Sequence, residues 1–444
     1  MRFPAVVRTV TLLLLTAVPV CAAADVRDDV RAKVAAEYPS LRVLYEHLHA
    51  NPELSWMEEK TAAVVARELR AAGLEVTERV GRRGVVGVLR NGPGQTVLLR
   101  ADMDALPVKE ATGLPYASTA VTKDQDGRDQ PAMHACGHDI HMTSLIGTAR
   151  VLVALRAQWA GTVVFIAQPA EEIVEGARAM LDDGLYTRFP KPDVALTFHN
   201  DAQLPAGVVG YGEGPFMSGV SSVDILVRGV GGHGSAPHTA KDPVLLASQI
   251  VVALQPIVSR EVKPGTRAVV TVGTIHGGLK RNIIPEEVKL ELTLRAYDAT
   301  LMQQMIASIK RIAAGTAQAA GIPENLLPIV TVTRESSDPV VNDGPLTRRL
   351  ATTFTAWLGA DRVQAIEPVG AAEDFTYFGR TTERVPISLW RVGASAPALF
   401  EAAASSGGAV PSNHNPRFAP VPEPTLTTGI VTSAAAVLDI LAKK

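Results

Sequence analysis

Three short apolar segments of this chain each lead directly into side chains that bind metals or carry protons. They are residues 96–100 leading to Asp102 and Asp104, residues 162–167 leading to Glu171 and Glu172, and residues 194–198 leading to His199. Short apolar runs bounded in this way predict buried strands, and the carboxyl ends of strands in an open α/β sheet form ligand sites. An acidic pair is typically solvated and a lone His typically structural, but three such strand ends together indicate one functional site.

Helical patterns alternate with these strands. Residues 28–73 are helical in pattern, and Ser55 with Glu58 forms a capping-box sequence ahead of a helix stop at Gly73. Apolar residues recur at helical spacing between Met142 and Leu155. Strands that alternate with helices predict an α/β fold with both faces of the sheet covered.

The pattern changes near Gly212. A strand at 223–227, a helix from Pro243 to about Arg260, strands at 267–274 and 288–294, a helix at 301–320 and a strand at 329–332 follow in order. This order is typical of a two-layer α+β unit, which we expect to be inserted into the first domain because another ligand candidate, His414, lies beyond it. A chain of 444 residues is long enough for two domains. The predicted divisions are a signal peptide at 1–24, a catalytic domain at 25–212 and 333–444, and the inserted domain at 213–332.

The N-terminus has the features of a signal peptide. Arg2 and Arg8 precede an apolar run at 10–20, and small residues follow it at 21–24. A lipid anchor at Cys21 fits the preceding residues poorly, and no later run of about 18 uninterrupted apolar residues predicts a membrane span. We therefore expect an exported protein, periplasmic or extracellular, without a stable membrane anchor. The net charge of −2 gives no indication of a nucleic-acid partner.

Cys136 is the single cysteine expected in the mature chain. His134 and His138 flank it within the run Met133 to Asp139. Thiolate and imidazole suit Zn²⁺, and imidazole with carboxylate also suits Mn²⁺ or Co²⁺. The alternatives are an inert buried thiol or a thiol nucleophile with a His base, but the nucleophile hypothesis leaves the Glu pair and the other His residues unexplained.

Several motifs in order resemble the M20 metallopeptidases, in particular the amidohydrolase branch with hippurate hydrolases, N-acyl-amino-acid hydrolases and auxin-conjugate hydrolases. The motifs are residues 48–55 (LHANPELS), 100–107 (RADMDALP), 133–139 (MHACGHD), 168–172 (QPAEE), 231–238 (GGHGSAPH), 282–285 (NIIP), 373–375 (EDF) and 414–416 (HNP). Together they cover essentially the whole mature chain. The chain departs from the family pattern at 200–202 and 371–372, which bears on the substrate pocket and on none of the proposed ligands.

The resemblance implies a mixed-sheet catalytic domain with two divalent metal ions per subunit, Mn²⁺, Zn²⁺ or Co²⁺, and an inserted lid that often forms a homodimer. Cys136 corresponds to a ligand shared by both ions. By the same resemblance, Glu172 and His414 complete one ion's ligand shell, and His138 and His199 complete the other's. Glu171 corresponds to the general acid/base, and we expect Asp104 to orient a ligand from behind. Asp102 has either the same role or a surface or capping role.

The resemblance also assigns residues in the lid. His233 corresponds to a His that reaches an active site and helps polarise the substrate carbonyl, whereas His238 is expected to be a surface residue. Asn282 and Arg295 are expected to bind the substrate's carboxylate, because guanidinium suits bidentate recognition of carboxylates.

The predicted activity is hydrolysis of the amide bond of N-acyl or N-aroyl amino acids, or of related small amides, by a metal-activated water. A dipeptidase or carboxypeptidase of the wider family is the alternative within the same chemistry. A binding protein that retains the fold without catalysis is the alternative in a different class, but all five proposed ligands and Glu171 are present.

Overall fold

The computed structural model describes residues 26–443, so the predicted signal peptide lies outside the described residues. The α-helices are α1 Val26–Ala50, α2 Glu59–Ala71, α3 His138–Ala154, α4 Gly176–Asp182, α5 Leu185–Arg188, α6 Pro243–Leu254, α7 Ala299–Ala319, α8 Gly344–Leu358, α9 Pro397–Ser406 and α10 Pro422–Ile440. The strands are β1 Glu75–Val80, β2 Gly84–Asn91, β3 Thr96–Asp102, β4 Val121–Lys123, β5 Asp129–Pro131, β6 Gly161–Gln168, β7 Val194–Pro205, β8 Val209–Tyr211, β9 Gly214–Met217, β10 Gly219–Arg228, β11 Gly232–His233, β12 Ala268–Gly277, β13 Ile283–Ile284, β14 Glu287–Ala296, β15 Ile329–Ser337, β16 Val340–Asn342, β17 Val363–Ala365 and β18 Ile387–Ser395.

Eight strands form the main sheet, in the order β1-β2-β6-β3-β7-β18-β8-β17. The central pairs β6–β3, β3–β7 and β7–β18 are parallel, whereas β1–β2 and β2–β6 are antiparallel. The sheet is therefore mixed, as predicted. Because β6, β3, β7 and β18 run in the same direction, their carboxyl ends share one edge of the sheet.

Apolar side chains cover both faces of this sheet. One cluster packs α1, α2, α3, α8 and α10 against the sheet and includes the buried Trp159 and Trp390. The other packs α4, α5 and the segment 374–379 against the opposite face. Burial on both faces explains why the central strands are nearly continuous apolar runs.

The inserted unit has its own antiparallel sheet, in the order β12-β14-β10-β15. Helices α6 and α7 pack on one face of it around an apolar cluster. The Asp242 carboxylate accepts the main-chain N–H of Val244 and caps α6, with Pro243 at the first helical position. The predicted two-layer α+β unit is therefore present.

Four details differ from the sequence predictions. The segment with a helical pattern at 28–73 forms two helices, α1 and α2, separated by residues 51–58. Helix α2 begins at Glu59 without a capping box, because the Ser55 hydroxyl donates instead to Asp104 at 2.6 Å. His199 lies inside β7 and not after its end, since the strand continues to Pro205. The boundary predicted at residue 332 falls within β15, which continues to Ser337.

Within the described residues, one helical stretch is long and apolar enough to span a membrane, judged by length and composition alone. It is Pro243–Glu261, of which one third is buried. Its buried side packs on the sheet of the inserted unit, and one such helix is weak evidence for a membrane span.

Candidate metal centre

The predicted ligands meet at the carboxyl edge of the main sheet. Cys136 and His138 lie at the start of α3, and His199 lies on β7. Glu172 follows β6, and His414 lies in the loop before α10. The main-chain N–H of His414 donates to the carbonyl of Ala135 at 2.8 Å, which fixes the distant loop beside the Cys136 segment.

Gly137 allows the turn between the two ligands of the α3 segment. Its φ is +83°, and a Cβ at this position would lie 2.4 Å from Nδ2 of Asn200. That Nδ2 donates to the carbonyl of Cys136 at 2.7 Å. A side chain at position 137 would therefore strain the backbone and displace the amide that holds the Cys136 carbonyl.

Two overlapping groups of ligand atoms share the sulfur of Cys136. One group is Cys136, His138 and His199, and the other is Cys136, Glu172 and His414; within each, the ligand atoms lie within 4.8 Å of one another. Nε2 of His414 is 3.5 Å from Oε2 of Glu172. The structure thus brings together all five predicted ligands in the two sets that the resemblance implies.

Hydrogen bonds at the Nδ1 atoms of His138 and His199 leave their Nε2 atoms available to bind metal. Nδ1 of His138 lies 2.7 Å from the main-chain oxygen of Asp104, and Nδ1 of His199 lies 2.7 Å from the main-chain oxygen of Asn200. A carbonyl only accepts, so each Nδ1 carries a proton, and each ring in its neutral form has its lone pair on Nε2. Nε2 of His138 and Oε1 of Glu172 are buried and have no hydrogen-bond partner among the described residues.

The electrostatics of the site favour a cation. Burial and the charges of Glu172 and Glu171 raise the pKa of the Cys136 thiol, and burial raises the pKa of Glu172 to about 8. Burial, followed by the charge of Arg391, lowers the pKa of His199. Burial disfavours a charged His138, but Asp102 and neighbouring carboxylates raise its pKa to about 10. Bound cations would reverse this balance by favouring thiolate, carboxylate and neutral imidazole, so the donor set fits metal ions.

Glu171 is held beside the ligands by Asp104. The Asp104 carboxylate accepts the main-chain N–H of Glu171 at 3.1 Å and of Glu172 at 3.0 Å. Oε2 of Glu171 lies 3.7 Å from Nε2 of His138. Burial, then the charges of Glu373 and Glu172, raise the pKa of Glu171, which suits a group that exchanges protons.

A buried ionic network lies behind the ligands, and sequence reasoning did not assign most of it. Arg100 donates to Asp102 at 2.6 Å and to Glu373 at 2.7 Å. The other oxygen of Asp102 lies 2.5 Å from Nδ1 of His141, and Nε2 of His141 accepts the N–H of Asn200 at 2.9 Å. Asp102 thus supports the site from within the core, not from the surface. A charged Arg100 in the middle of an apolar strand was the available signal.

A cavity of about 460 Å³ opens over the ligands. Glu171, Glu172 and His414 line it, and so does Arg295 of the inserted unit. The side chain of Arg295 makes no hydrogen bond or ion pair with another described residue, and burial lowers the pKa of its guanidinium.

The other two lid residues do not line this cavity. His233 and Asn282 are exposed and lie beside each other, where the main-chain oxygen of Asn282 accepts the N–H of Gly234 at 2.9 Å. Nδ1 of His233 is held by the hydroxyl of Ser235 at 2.7 Å. His238 is exposed as well, as expected for a surface residue.

The fold and the site together define a metal-dependent hydrolase: paired ligand sets share one thiolate at the edge of an α/β sheet, with a separate carboxylate beside them. Residues 98–438 match the family described as Peptidase family M20/M25/M40. The chain belongs to this family, and its activity is hydrolysis of amide bonds.

Named relatives agree with this class. The chain is 41% identical over 337 residues to the hippurate hydrolase of Campylobacter jejuni, covering 74% of this chain and 82% of the relative. It is 35% identical over 343 residues to an N-acetylcysteine deacetylase of Bacillus subtilis, covering 76% and 84%. Among solved structures, the YXEP protein of Bacillus subtilis, described as a dinuclear metal binding peptidase, is similar with a TM-score of 0.73 and 29% identity, over 92% of this chain and 99% of that one.

Proposed function

We propose that this protein hydrolyses the amide bond of N-acyl or N-aroyl amino acids, or of closely related small amides. The observation that carries the proposal is that Glu171 lies beside the ligand sets and lines a cavity that is also lined by the unpaired side chain of Arg295. Relatives named for hippurate and N-acetylcysteine support the substrate class, since both compounds join an acyl group to an amino acid.

Cys136 would contact both metal ions, Glu172 and His414 would hold one, and His138 and His199 the other. Bound there, two divalent ions polarise a carbonyl and lower the pKa of water. Mixed thiolate, imidazole and carboxylate ligands suit Zn²⁺, Mn²⁺ or Co²⁺. Asp104 keeps His138 in the required tautomer through its main-chain oxygen.

Glu171 acts as the general acid/base in this proposal. Its carboxylate takes a proton from the attacking water and later delivers it to the leaving nitrogen, so the amide becomes an acid and a free amine. The raised pKa of Glu171, caused by burial and then by Glu373 and Glu172, favours its protonated form for the second transfer.

Arg295 is suited to bind the substrate's α-carboxylate. It lines the same cavity as Glu171 and Glu172, and its partly buried guanidinium has no protein acceptor among the described residues. A planar guanidinium binds carboxylates through two parallel hydrogen bonds. This contact would favour acylated amino acids over simple amides.

His233 and Asn282 fit this function in a homodimer. Both are exposed outside the chain's own cavity, so they are available to a second subunit that packs against the lid. The exposed apolar residues Leu245 and Val252 on α6, 59% and 71% accessible, support such an interface. In that arrangement, His233 would help polarise the carbonyl and Asn282 would contact the substrate carboxylate.

Export remains part of the proposal, to the periplasm or the medium and without a stable membrane anchor. Arg2, Arg8 and the apolar run at 10–20 support it. Sequencing the N-terminus of protein recovered from cell fractions should show cleavage after Ala23 or Ala24, and recovery of uncleaved protein in the cytoplasm would contradict it.

The decisive experiment is a hydrolysis screen with protein supplied separately with Zn²⁺, Mn²⁺ and Co²⁺. We expect cleavage of N-benzoyl and N-acetyl amino acids that a chelator abolishes and added metal restores. Cleavage of unblocked dipeptides alone would instead support a dipeptidase or carboxypeptidase. Activity that resists chelators and is lost on alkylation without metal loss would support the thiol mechanism.

A further inference from the structure

A second guanidinium lines the cavity from the catalytic domain. Arg391 lies on β18 opposite His199 of the parallel strand β7, and neighbouring residues in such a register project to the same face of the sheet. Arg391 therefore shares a face with a predicted metal ligand. It lines the same cavity as Glu171 and Arg295.

The side chain of Arg391 is buried, and most of its N–H donors have no acceptor among the described residues. Its side chain is 4% exposed. Nε donates to Oδ2 of Asp201 at 3.1 Å, and Nη1 approaches only the sulfur of Met217, at 3.9 Å. No described residue offers an oxygen to the two Nη atoms, although a guanidinium has five donors in a fixed fork.

Asp201 holds Arg391 in place without covering its outer face. The other oxygen of Asp201 accepts the main-chain N–H of Gln203 at 2.7 Å, so the carboxylate is fixed by its own strand. This single contact through Nε leaves both Nη atoms without an oxygen partner among the described residues, in a side chain that lines the cavity, and such a guanidinium suits bidentate binding of a carboxylate.

The cavity thus contains two guanidinium groups that can bind anions. Arg295 reaches it from the lid and Arg391 from the sheet. The acidic residues nearest the ligands, Glu171 and Glu172, lie in the metal site, where bound cations would offset their charge. A substrate with two carboxylates can pair one with each guanidinium group.

We infer that Arg391 is a specificity-determining residue that binds a second carboxylate on the substrate, so that preferred substrates are N-acyl amino acids with two acidic groups. The inference rests on the proposed amide hydrolysis. The second carboxylate belongs either to the amino-acid side chain, as in an N-acyl glutamate, or to the acyl group, as in an N-succinyl amino acid.

Two substrate pairs test this inference and distinguish the two sources. N-acetylglutamate is compared with N-acetylglutamine, and N-succinyl-leucine with its succinamoyl counterpart, which carries an amide in place of the acid. The wild-type protein should show a kcat/KM roughly 10- to 100-fold higher for the acidic member of at least one pair, because a hydrogen bond to a charged group contributes that much. The pair that shows the preference identifies the position of the second carboxylate.

Variants then assign the preference to Arg391. Asp201→Asn keeps the guanidinium and should keep the preference. Arg391→Met combined with Asp201→Asn avoids leaving a buried Asp201 unpaired and should bring the acidic and neutral members within about threefold, mainly through KM. Arg391→Lys keeps the positive charge but loses the planar guanidinium donors, so its preference should lie between those of the wild type and the double variant. If the double variant does not fold, Arg391→Lys tests the role of Arg391.

The outcomes separate this inference from the proposed function. If none of the four amides is cleaved by metal-loaded protein that does cleave N-benzoylglycine, only the role of Arg391 is overturned, whereas failure on N-benzoylglycine as well overturns the proposed function. If all four are cleaved at similar rates, or if the preference persists in the double variant or is unchanged in Arg391→Lys, only the role of Arg391 is overturned. In that case Arg391 is a structural ion pair between β7 and β18.

Discussion

Nδ1 of His138 lies 2.7 Å from the main-chain oxygen of Asp104. The carboxylate of the same Asp104 accepts the main-chain N–H groups of Glu171 and Glu172. One residue therefore fixes the tautomer of a proposed ligand and also positions the acidic pair. Replacing a group that orients metal ligands in this way typically lowers metal affinity roughly 10- to 100-fold.

Asp104→Asn should weaken metal binding by roughly 10- to 100-fold. An amide of the same shape accepts one of the two N–H groups of the Glu171–Glu172 segment but presents its own NH₂ to the other. The main-chain contact with His138 remains, so the effect reports the acidic pair. Competition with a chromophoric chelator measures the affinity, and Asp126→Asn in an exposed turn is the control. An unchanged affinity would show that the Asp104 carboxylate does not organise the site.

Glu171→Gln and Glu172→Gln should have different effects despite being adjacent. Glu171→Gln removes the proposed base, so kcat should fall by at least about 100-fold while two ions per subunit are retained. Glu172→Gln removes a proposed ligand and should lower the metal content as well. Elemental analysis of purified protein, together with kcat, separates the two. Full activity in Glu171→Gln would remove this residue from the catalytic machinery.

The Cys136 thiol should react with iodoacetamide only when metal is removed. Burial, followed by the charges of Glu172 and Glu171, raises its pKa, so the metal-free thiol should react slowly at neutral pH and faster as the pH rises. Metal-loaded protein should resist alkylation because the sulfur is coordinated. Mass spectrometry of the peptide that contains residue 136 follows the reaction, with Cys136→Ser as the control. Equal rates with and without metal would argue against ligation.

Much of the fold follows from local patterns in the sequence. The central strands β3, β6 and β7, the inserted unit and the stop of α2 before Gly73, whose φ is +88°, all have short-range signals, whereas the other five strands of the main sheet were not predicted. The capping-box prediction was wrong because Ser55 has a better partner in Asp104, which lies 49 residues away in sequence. Contacts of that kind depend on the tertiary fold and leave no periodic signal.

The site was predictable where the chemistry is concentrated in short runs, as at Cys136 and His138. It was less predictable where single residues from distant strands meet. Arg391 was not singled out because an Arg within an apolar strand can face either side of the sheet. Its direction is set only by the register of β18 against β7, which places it opposite His199.

A last prediction concerns the pH dependence of stability and rests on His49 in α1. Its Nδ1 lies 2.7 Å from Oδ2 of Asp139 and its Nε2 lies 3.1 Å from Oε1 of Glu110, all three side chains being buried. Burial disfavours the charged ring, but the two carboxylates outweigh this effect and raise the pKa of His49 to about 10. Because the folded state holds this proton more tightly than the unfolded chain, the stabilisation is fully present below pH 6.5. It is lost as pH rises from 6.5 towards 10, by at most about 1.4 kcal/mol per pH unit.

Urea denaturation of metal-free protein should therefore show the stability advantage of the wild type over His49→Gln shrinking across this range. His47→Gln, at an exposed position of the same helix, should show no such trend, and a constant advantage of the wild type over His49→Gln would mean that His49 is neutral in the folded protein.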